Sequence, residues 1–191
     1  MIVKICGITR REDAEAAAQS GASAIGFIFY KPSPRYVTAE KARELAAGLD
    51  LWKVGVFVDE SAADIESVMR AAGLDIAQIY NSAHPRTRIW KAVRCGAGFQ
   101  ASATASKPSP FNQEEALFLD SAANGQSFDW IQARGAAEKV IIAGGLNPAN
   151  VRAAIRIAQP WGVDASSGLE ISPGIKDHEK IRQFITEARS L

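Results

Sequence analysis

Lys53-Val-Gly-Val-Phe-Val58 is a short apolar run, and Ser61–Ala72 behind it carries a helical pattern before another apolar run begins near Ile76. The run is apolar on consecutive residues more than on alternate ones, as expected of a strand buried on both faces, and Lys139-Val-Ile-Ile142 reads the same way. Strand, helix and strand of this kind form the unit of a parallel sheet covered by helices. Working outward, comparable runs closed by Gly, Asp, Ser or Asn start near Ile2, Ala24, Ile89, Ala116 and Gly162, which makes eight in all. Further helical patterns cover Glu12–Ser20, Ala39–Ala47, Asn147–Ala158 and Asp177–Arg189. Eight βα units predict an α/β fold, a (β/α)8 TIM barrel, with residues 1–191 as one domain. An open doubly wound sheet is the competing architecture, but no Gly-x-Gly-x-x-Gly follows the first strand.

With 191 residues the barrel is small, and the shortfall falls between the fourth and fifth runs, which start only 13 residues apart. Asn81–Arg88 contains Pro85 and is shorter than the roughly 10–12 residues of a parallel crossover, so the fourth helix should be missing. The stretch from Gly96 to Pro110 is rich in small residues and proline, so the fifth helix should be weak or displaced. These two neighbouring units would leave one flank thinly covered, a place where apolar strand surface meets water, a second copy of the chain or another protein.

Lys plus Arg total 22 against 21 for Asp plus Glu, a formal net charge of +1, which gives no surplus for nucleic acid or an anionic membrane. Hydrophobic residues at 47% and charged residues at 23% suit an ordinary globular chain. Met1 runs straight into Ile2-Val3-Lys4-Ile5 without a signal-like segment, and no stretch is long and apolar enough to span a membrane, so a cytoplasmic protein is expected. The 2 cysteines lack the spacing of a metal site or disulfide framework. No metal is expected.

In this fold chemistry sits at the C-terminal strand ends. Cys6 ends the first strand beside Gly7, where cationic neighbours or loop amides would lower its pKa and fit it to take a proton from carbon; packing is the alternative. Asp120 closes Ala116-Leu-Phe-Leu-Asp120, and a carboxyl at an apolar rim can keep its proton and act as general acid; a cap or turn role is the alternative. Arg35 stands on a loop stiffened by Pro32 and Pro34, suited to grip a carboxylate or phosphate, though a solvated arginine is equally ordinary there. Gly144-Gly145-Leu146-Asn147-Pro148 leads from the seventh strand, with Asn147 as expected N-cap and Pro148 at the first helical position. Asp164-Ala165-Ser166-Ser167-Gly168 ends the eighth. Glycines and small hydroxyls in these last two units point to a bound phosphate. Cys95 reads as packing, and His84 and His178 as surface residues without a partner.

Lys4-Ile-Cys6-Gly7-Ile-Thr9, Gly26-Phe-Ile-Phe-Tyr30 running into Ser33-Pro-Arg35-Tyr36-Val37, Val54-Gly-Val-Phe-Val58, Phe128-Asp129-Trp130, Ala143-Gly144-Gly145-Leu146 and Val163-Asp164-Ala-Ser-Ser-Gly168 together resemble the phosphoribosylanthranilate isomerase family, in order and along the whole chain. The resemblance implies an enzyme of tryptophan biosynthesis that converts N-(5-phosphoribosyl)anthranilate to 1-(2-carboxyphenylamino)-1-deoxyribulose 5-phosphate by an Amadori rearrangement, with no cofactor. By that likeness Asp120 is the general acid and Cys6 the general base. Arg35 holds the anthranilate carboxylate, Asp164 lines the site beside the substrate amine, and Gly144, Gly145, Ser166, Ser167 and Gly168 surround the phosphate. The family's Gln-Leu-His-Gly at the fourth strand reads Gln78-Ile-Tyr80-Asn81 here, and the glycine-rich loop after the acid is reduced to Ser121–Ser127. Two other functions fit the same residues: isomerisation of a related aminoaldose phosphate, and a non-catalytic, partner-dependent phosphate-binding barrel.

Overall fold

The eight runs become eight parallel strands in the computed structural model, which describes residues 1–96, 114–122 and 127–190. They are β1 (Ile2–Cys6), β2 (Ala24–Ile28), β3 (Trp52–Phe57), β4 (Ile76–Ile79), β5 (Ile89–Cys95), β6 (Glu114–Ser121), β7 (Val140–Ile142) and β8 (Gly162–Ala165). Each pairs with the next, and β8 returns to β1 to close the barrel. The closing register sets Lys4 level with Asp164, and on the other side Cys6 level with Gly26.

Helices α1 (Arg11–Gln19), α2 (Ala39–Ala46), α3 (Ala62–Ala72), α4 (Val151–Ala158) and α5 (His178–Arg189) lie outside the strands. Local chemistry fixes several ends. Thr38 and Ser61 accept from the third amide of α2 and α3, Asp177 accepts from the amides of Glu179 and Lys180, and α3 stops at Gly73 with φ 65°. Asn147 is not the cap of α4: its side chain accepts from Ala149 N at 2.9 Å, and the helix starts after Asn150, whose own carboxamide accepts from Asn147 N at 2.8 Å. Asparagine side chains thus stabilise a turn where a helix start was expected.

The period of two along each strand separates two cores. Outward residues such as Val3, Ile5, Ile25, Phe27, Phe57 and Ile79 pack with Leu45, Ile65, Met69, Ile155 and Phe184 of the helices. Inward residues, among them Val54, Ile76, Ala92, Phe118 and Ile141, fill the barrel. Its floor is closed by Trp52, Trp90 and Trp161, whose ring centroids are 6.1 to 6.4 Å apart. Arg88 and Lys139 lie over Trp52 and Trp161 at 5.0 and 5.4 Å.

No helix occupies 80–88, as the short connection requires. That segment is tied to the turn before α3, to α3 itself and to β5: Asn81 Nδ2 donates to Glu60 O at 2.8 Å, Arg86 N donates to Glu66 Oε1 at 2.8 Å, and Lys91 Nζ donates to Asn81 O. The expected apolar gap is therefore corrected, since Ala77, Ile79 and Ile89 are buried, and the exposed large apolar residues among those described (Met1, Tyr36, Ile131, Ile157, Ile171 and Ile175) are not on β4 or β5. The expected weak fifth helix falls almost wholly outside the described residues. After β8 the chain adds an antiparallel hairpin that no sequence pattern announced, β9 (Glu170–Ser172) and β10 (Ile175–Lys176). Among the described residues no helix is long and apolar enough to cross a membrane.

Candidate active site

At the C-terminal mouth of the barrel, a cavity of about 490 Å³ is lined by Cys6, Arg35, Asp120, Gly144, Gly145, Asp164, Ser166, Ser167 and Gly168. All the residues singled out in the sequence therefore meet on one cavity, the position the fold reserves for chemistry. Gln78, Tyr80 and Arg94 line it too.

Inward-facing Lys4 and Cys6 share one face of β1. Lys4 is fully buried and its Nζ donates to Asp164 Oδ1 at 2.8 Å. Gly26 makes room for both: a Cβ there would lie 2.8 Å from Cys6 Sγ and 2.9 Å from Lys4 Nζ. Burial works to lower the Lys4 pKa, but Asp164 and then Cys6 outweigh it, so the ammonium is held above its ordinary value. The Cys6 thiol corrects the expectation of a lowered pKa. Burial pushes it up, Asp164 adds to that, and the opposing Lys4 charge does not overcome them. Lys4 was not singled out for a role, although a lysine two residues before Cys6 in an apolar strand must face the interior and find a partner there.

We expect Lys4→Met, in a Cys95→Ser background, to slow alkylation of Cys6 by iodoacetamide at pH 8 by roughly tenfold and to move the midpoint of the rate–pH curve further up, since the cation that most favours the thiolate is taken away. Thermal unfolding should fall as well, because Asp164 is left buried without its partner, a loss of about 3 kcal/mol. An unchanged alkylation curve would refute the electrostatic link.

Asp120, the penultimate residue of β6, accepts at Oδ2 from Tyr80 Oη at 2.9 Å. Burial raises its pKa, the Tyr80 bond lowers it, Asp164 raises it, and Arg94 and Lys4 lower it; the balance lies above the ordinary value, as expected of an acid that keeps its proton. Cys95 packs behind it, its thiol pushed up to about 12 by burial and by Asp120, and both cysteines are free.

Arg35 is not a free loop arginine. Its Nε and Nη2 donate to the two carboxylate oxygens of Glu170 at 2.8 and 2.6 Å. Glu170 Oε1 also accepts from Lys176 Nζ at 2.8 Å, and that buried lysine donates to Ser166 O at 3.1 Å. The unexpected hairpin thus supplies the brace that aims Arg35, while Gly7, with φ 74°, leaves space that a Cβ would take from Arg35 Cδ at 2.7 Å and Ser166 Oγ at 2.9 Å. His178, expected to lack a partner, has one: its Nε2 lies 2.8 Å from Oδ1 of buried Asp13.

The two glycine-containing loops touch. Gly144 and Gly145 have φ of 85° and 65°, and a Cβ on Gly168 would lie 2.2 Å from Leu146 O. Among the described residues no cluster of His, Cys, Asp or Glu is arranged to hold a metal ion.

A family model described as N-(5'-phosphoribosyl)anthranilate (PRA) isomerase matches residues 3–187. The N-(5'-phosphoribosyl)anthranilate isomerase of Solibacter usitatus is 40% identical over 201 residues, covering 100% of this chain and 98% of that protein. The same-named protein of Thermotoga neapolitana is 38% identical over 207 residues, covering 99% and 98%. The crystal structure of phosphoribosyl anthranilate isomerase from Thermotoga maritima aligns over 100% of both chains with a TM-score of 0.86 and 36% identity, and that enzyme is also described as dimeric. A structure in complex with reduced 1-(o-carboxyphenylamino)-1-deoxyribulose 5-phosphate aligns with a TM-score of 0.84, also at 36% identity over 100% of both chains. A match that runs from the first strand to the last helix, in sequence and in backbone alike, leaves one conclusion: the chain belongs to the N-(5'-phosphoribosyl)anthranilate isomerase family.

Proposed function

We propose that this chain converts N-(5'-phosphoribosyl)anthranilate to 1-(2-carboxyphenylamino)-1-deoxyribulose 5-phosphate, with Asp120 as general acid and Cys6 as general base. The observation that carries the reading is the placement of a buried carboxyl with a raised pKa on β6 and a thiol on β1 at one cavity, with a braced arginine and two glycine loops around it.

Asp120 gives its proton to the ribose ring oxygen as the bond from C1' to that oxygen breaks, and the amine lone pair forms the C=N bond of an open Schiff base. Cys6 takes the proton from C2' through its thiolate form, which the Lys4 ammonium favours while burial opposes it. The C2'–H electron pair becomes the C1'=C2' bond and the iminium nitrogen recovers its lone pair, giving an enolamine. Movement of a proton from the C2' hydroxyl to C1' yields the ketone, and the proton that Cys6 took replaces the one that Asp120 gave, by exchange with solvent, so the rearrangement is redox-neutral and the acid–base pair is restored. Acid and base on β6 and β1, three places apart round the closed barrel, meet the cavity from different directions, which suits this order of events. The free edge of the Arg35 guanidinium faces the anthranilate carboxylate, Asp164 lies beside the amine, and Gly144, Gly145, Ser166, Ser167 and Gly168 surround the phosphate.

The test follows the loss of anthranilate-type fluorescence when purified protein meets freshly generated substrate, with the product identified by mass and retention. Turnover to the ketose supports the reading; a folded protein that binds the product without forming it would overturn it. The cytoplasmic setting and a second copy of the chain also belong to this reading, the latter supported by the dimeric Thermotoga maritima enzyme. Its test is the mass in solution, and a monomer at all concentrations removes it.

A further inference from the structure

Tyr80 stands where the family resemblance leads one to expect histidine, and its place in the hydrogen-bond chain is directional. Gln78 is buried, and its Nε2 donates to Tyr80 Oη at 3.1 Å. A phenol has one proton, so with an acceptor role toward Gln78 its own O–H is committed to Asp120 Oδ2 at 2.9 Å. Gln78 lies on β4 and Tyr80 directly follows that strand, its own N–H held by Phe57 O at 3.1 Å, so the end of β4 brings both side chains to the same side of the mouth. Arg94, one strand further, stacks its guanidinium 5.0 Å from the Tyr80 ring centroid and limits its rotation.

We propose that Tyr80 is a positioning residue for Asp120: held by Gln78, its hydroxyl occupies Oδ2 and so assigns the transferable proton to Oδ1. The proposal rests on the reading of Asp120 as the acid. It also gives the phenol a tuning role. A carboxyl in a buried site holds its proton well but releases it poorly, and a donor on Oδ2 stabilises the carboxylate left behind. The groups that face this pair are Asp164 from β8, Arg94 and Cys95 from β5, and Lys4 and Cys6 from β1. They are unchanged by a substitution at Tyr80, so a shift in Asp120 reads the lost hydroxyl.

The experiment compares wild type, Tyr80→Phe, Tyr80→His and Asp120→Asn. Infrared difference titration, with Asp120→Asn as the blank, identifies the Asp120 carboxyl stretch. Tyr80→Phe should raise its midpoint by about one pH unit, the sign expected when a donor to the charged form is removed. In the same variant kcat should fall by roughly 10- to 30-fold with KM within about threefold, because the contact serves the transition state and not ground-state binding. Tyr80→His, which restores a donor, should recover most of kcat. In the Asp120→Asn background, Tyr80→Phe should cost nothing more, the mark of two residues acting through one group. An unmoved Asp120 midpoint, or an equal loss with and without Asp120, overturns the positioning role while leaving the acid in place. Retained turnover in Asp120→Asn overturns the acid itself, so the two failures are told apart.

Discussion

Asp120→Asn and Cys6→Ala are each expected to reduce kcat by about 10³-fold, within the range that a single general acid or base contributes, while KM stays within about threefold. Neither side chain is placed to hold an anionic end of the substrate. In the proposed reading that is the part of Arg35 and of the loops around Gly145 and Gly168, which line the same cavity and which both substitutions leave in place. Asparagine keeps the size of Asp120 and an oxygen for the Tyr80 bond, so a loss of rate reports the missing proton and not a collapsed rim. Alanine at position 6 removes the thiol beside Gly26, where the small space is already matched to the Lys4 and Cys6 side chains. Fluorescence kinetics under single turnover, with product affinity measured separately, checks both. Losses confined to binding would remove the assigned roles.

Gly168→Ala should act in the opposite sense. The added Cβ would sit 2.2 Å from Leu146 O and 3.1 Å from Asn147 Cβ. A backbone carbonyl cannot swing aside as a long side chain does, so the loops after β7 and β8 must separate. A phosphate that needs donors from both then loses one or more charge-assisted hydrogen bonds. KM should rise by about 30-fold, with kcat within about threefold, and inorganic phosphate should inhibit correspondingly less. Kinetics with added phosphate decides it: unchanged inhibition would place the phosphate elsewhere on the mouth.

Strand positions were legible because a barrel strand is buried on both faces, and an apolar run such as Val54–Phe57 has few other uses. The rim followed from the strand ends, which is why Cys6, Arg35, Asp120 and Asp164 could be gathered before their distances were known. What the sequence concealed depends on register and on long separations. Lys4 meets Asp164 across 160 residues because β1 closes on β8 at that level. Glu170 reaches Arg35 across 135 residues from a hairpin too short to leave a periodic signal. The Cys6 thiol was misjudged for a related reason: its cationic neighbour was foreseeable in kind, but the burial that outweighs it is a property of the closed barrel. Asn147 failed as a cap because two asparagines three residues apart compete for the same turn, and their side chains cooperate in it instead.

The floor of three tryptophans bears on how such a barrel changes over generations. Large aromatic packing closes the end away from the mouth, where Trp52, Trp90 and Trp161 meet without lining the cavity. Costly features at the mouth include the positive-φ glycines Gly7, Gly144 and Gly145 and the paired buried charges that face it. A surplus held at one pole lets the opposite pole carry residues that would sink a uniformly marginal fold. Rim positions such as Tyr80 are therefore free to be exchanged and tried while the floor keeps the chain folded, so heritable variation in chemistry and selection for persistence act on different ends of one molecule.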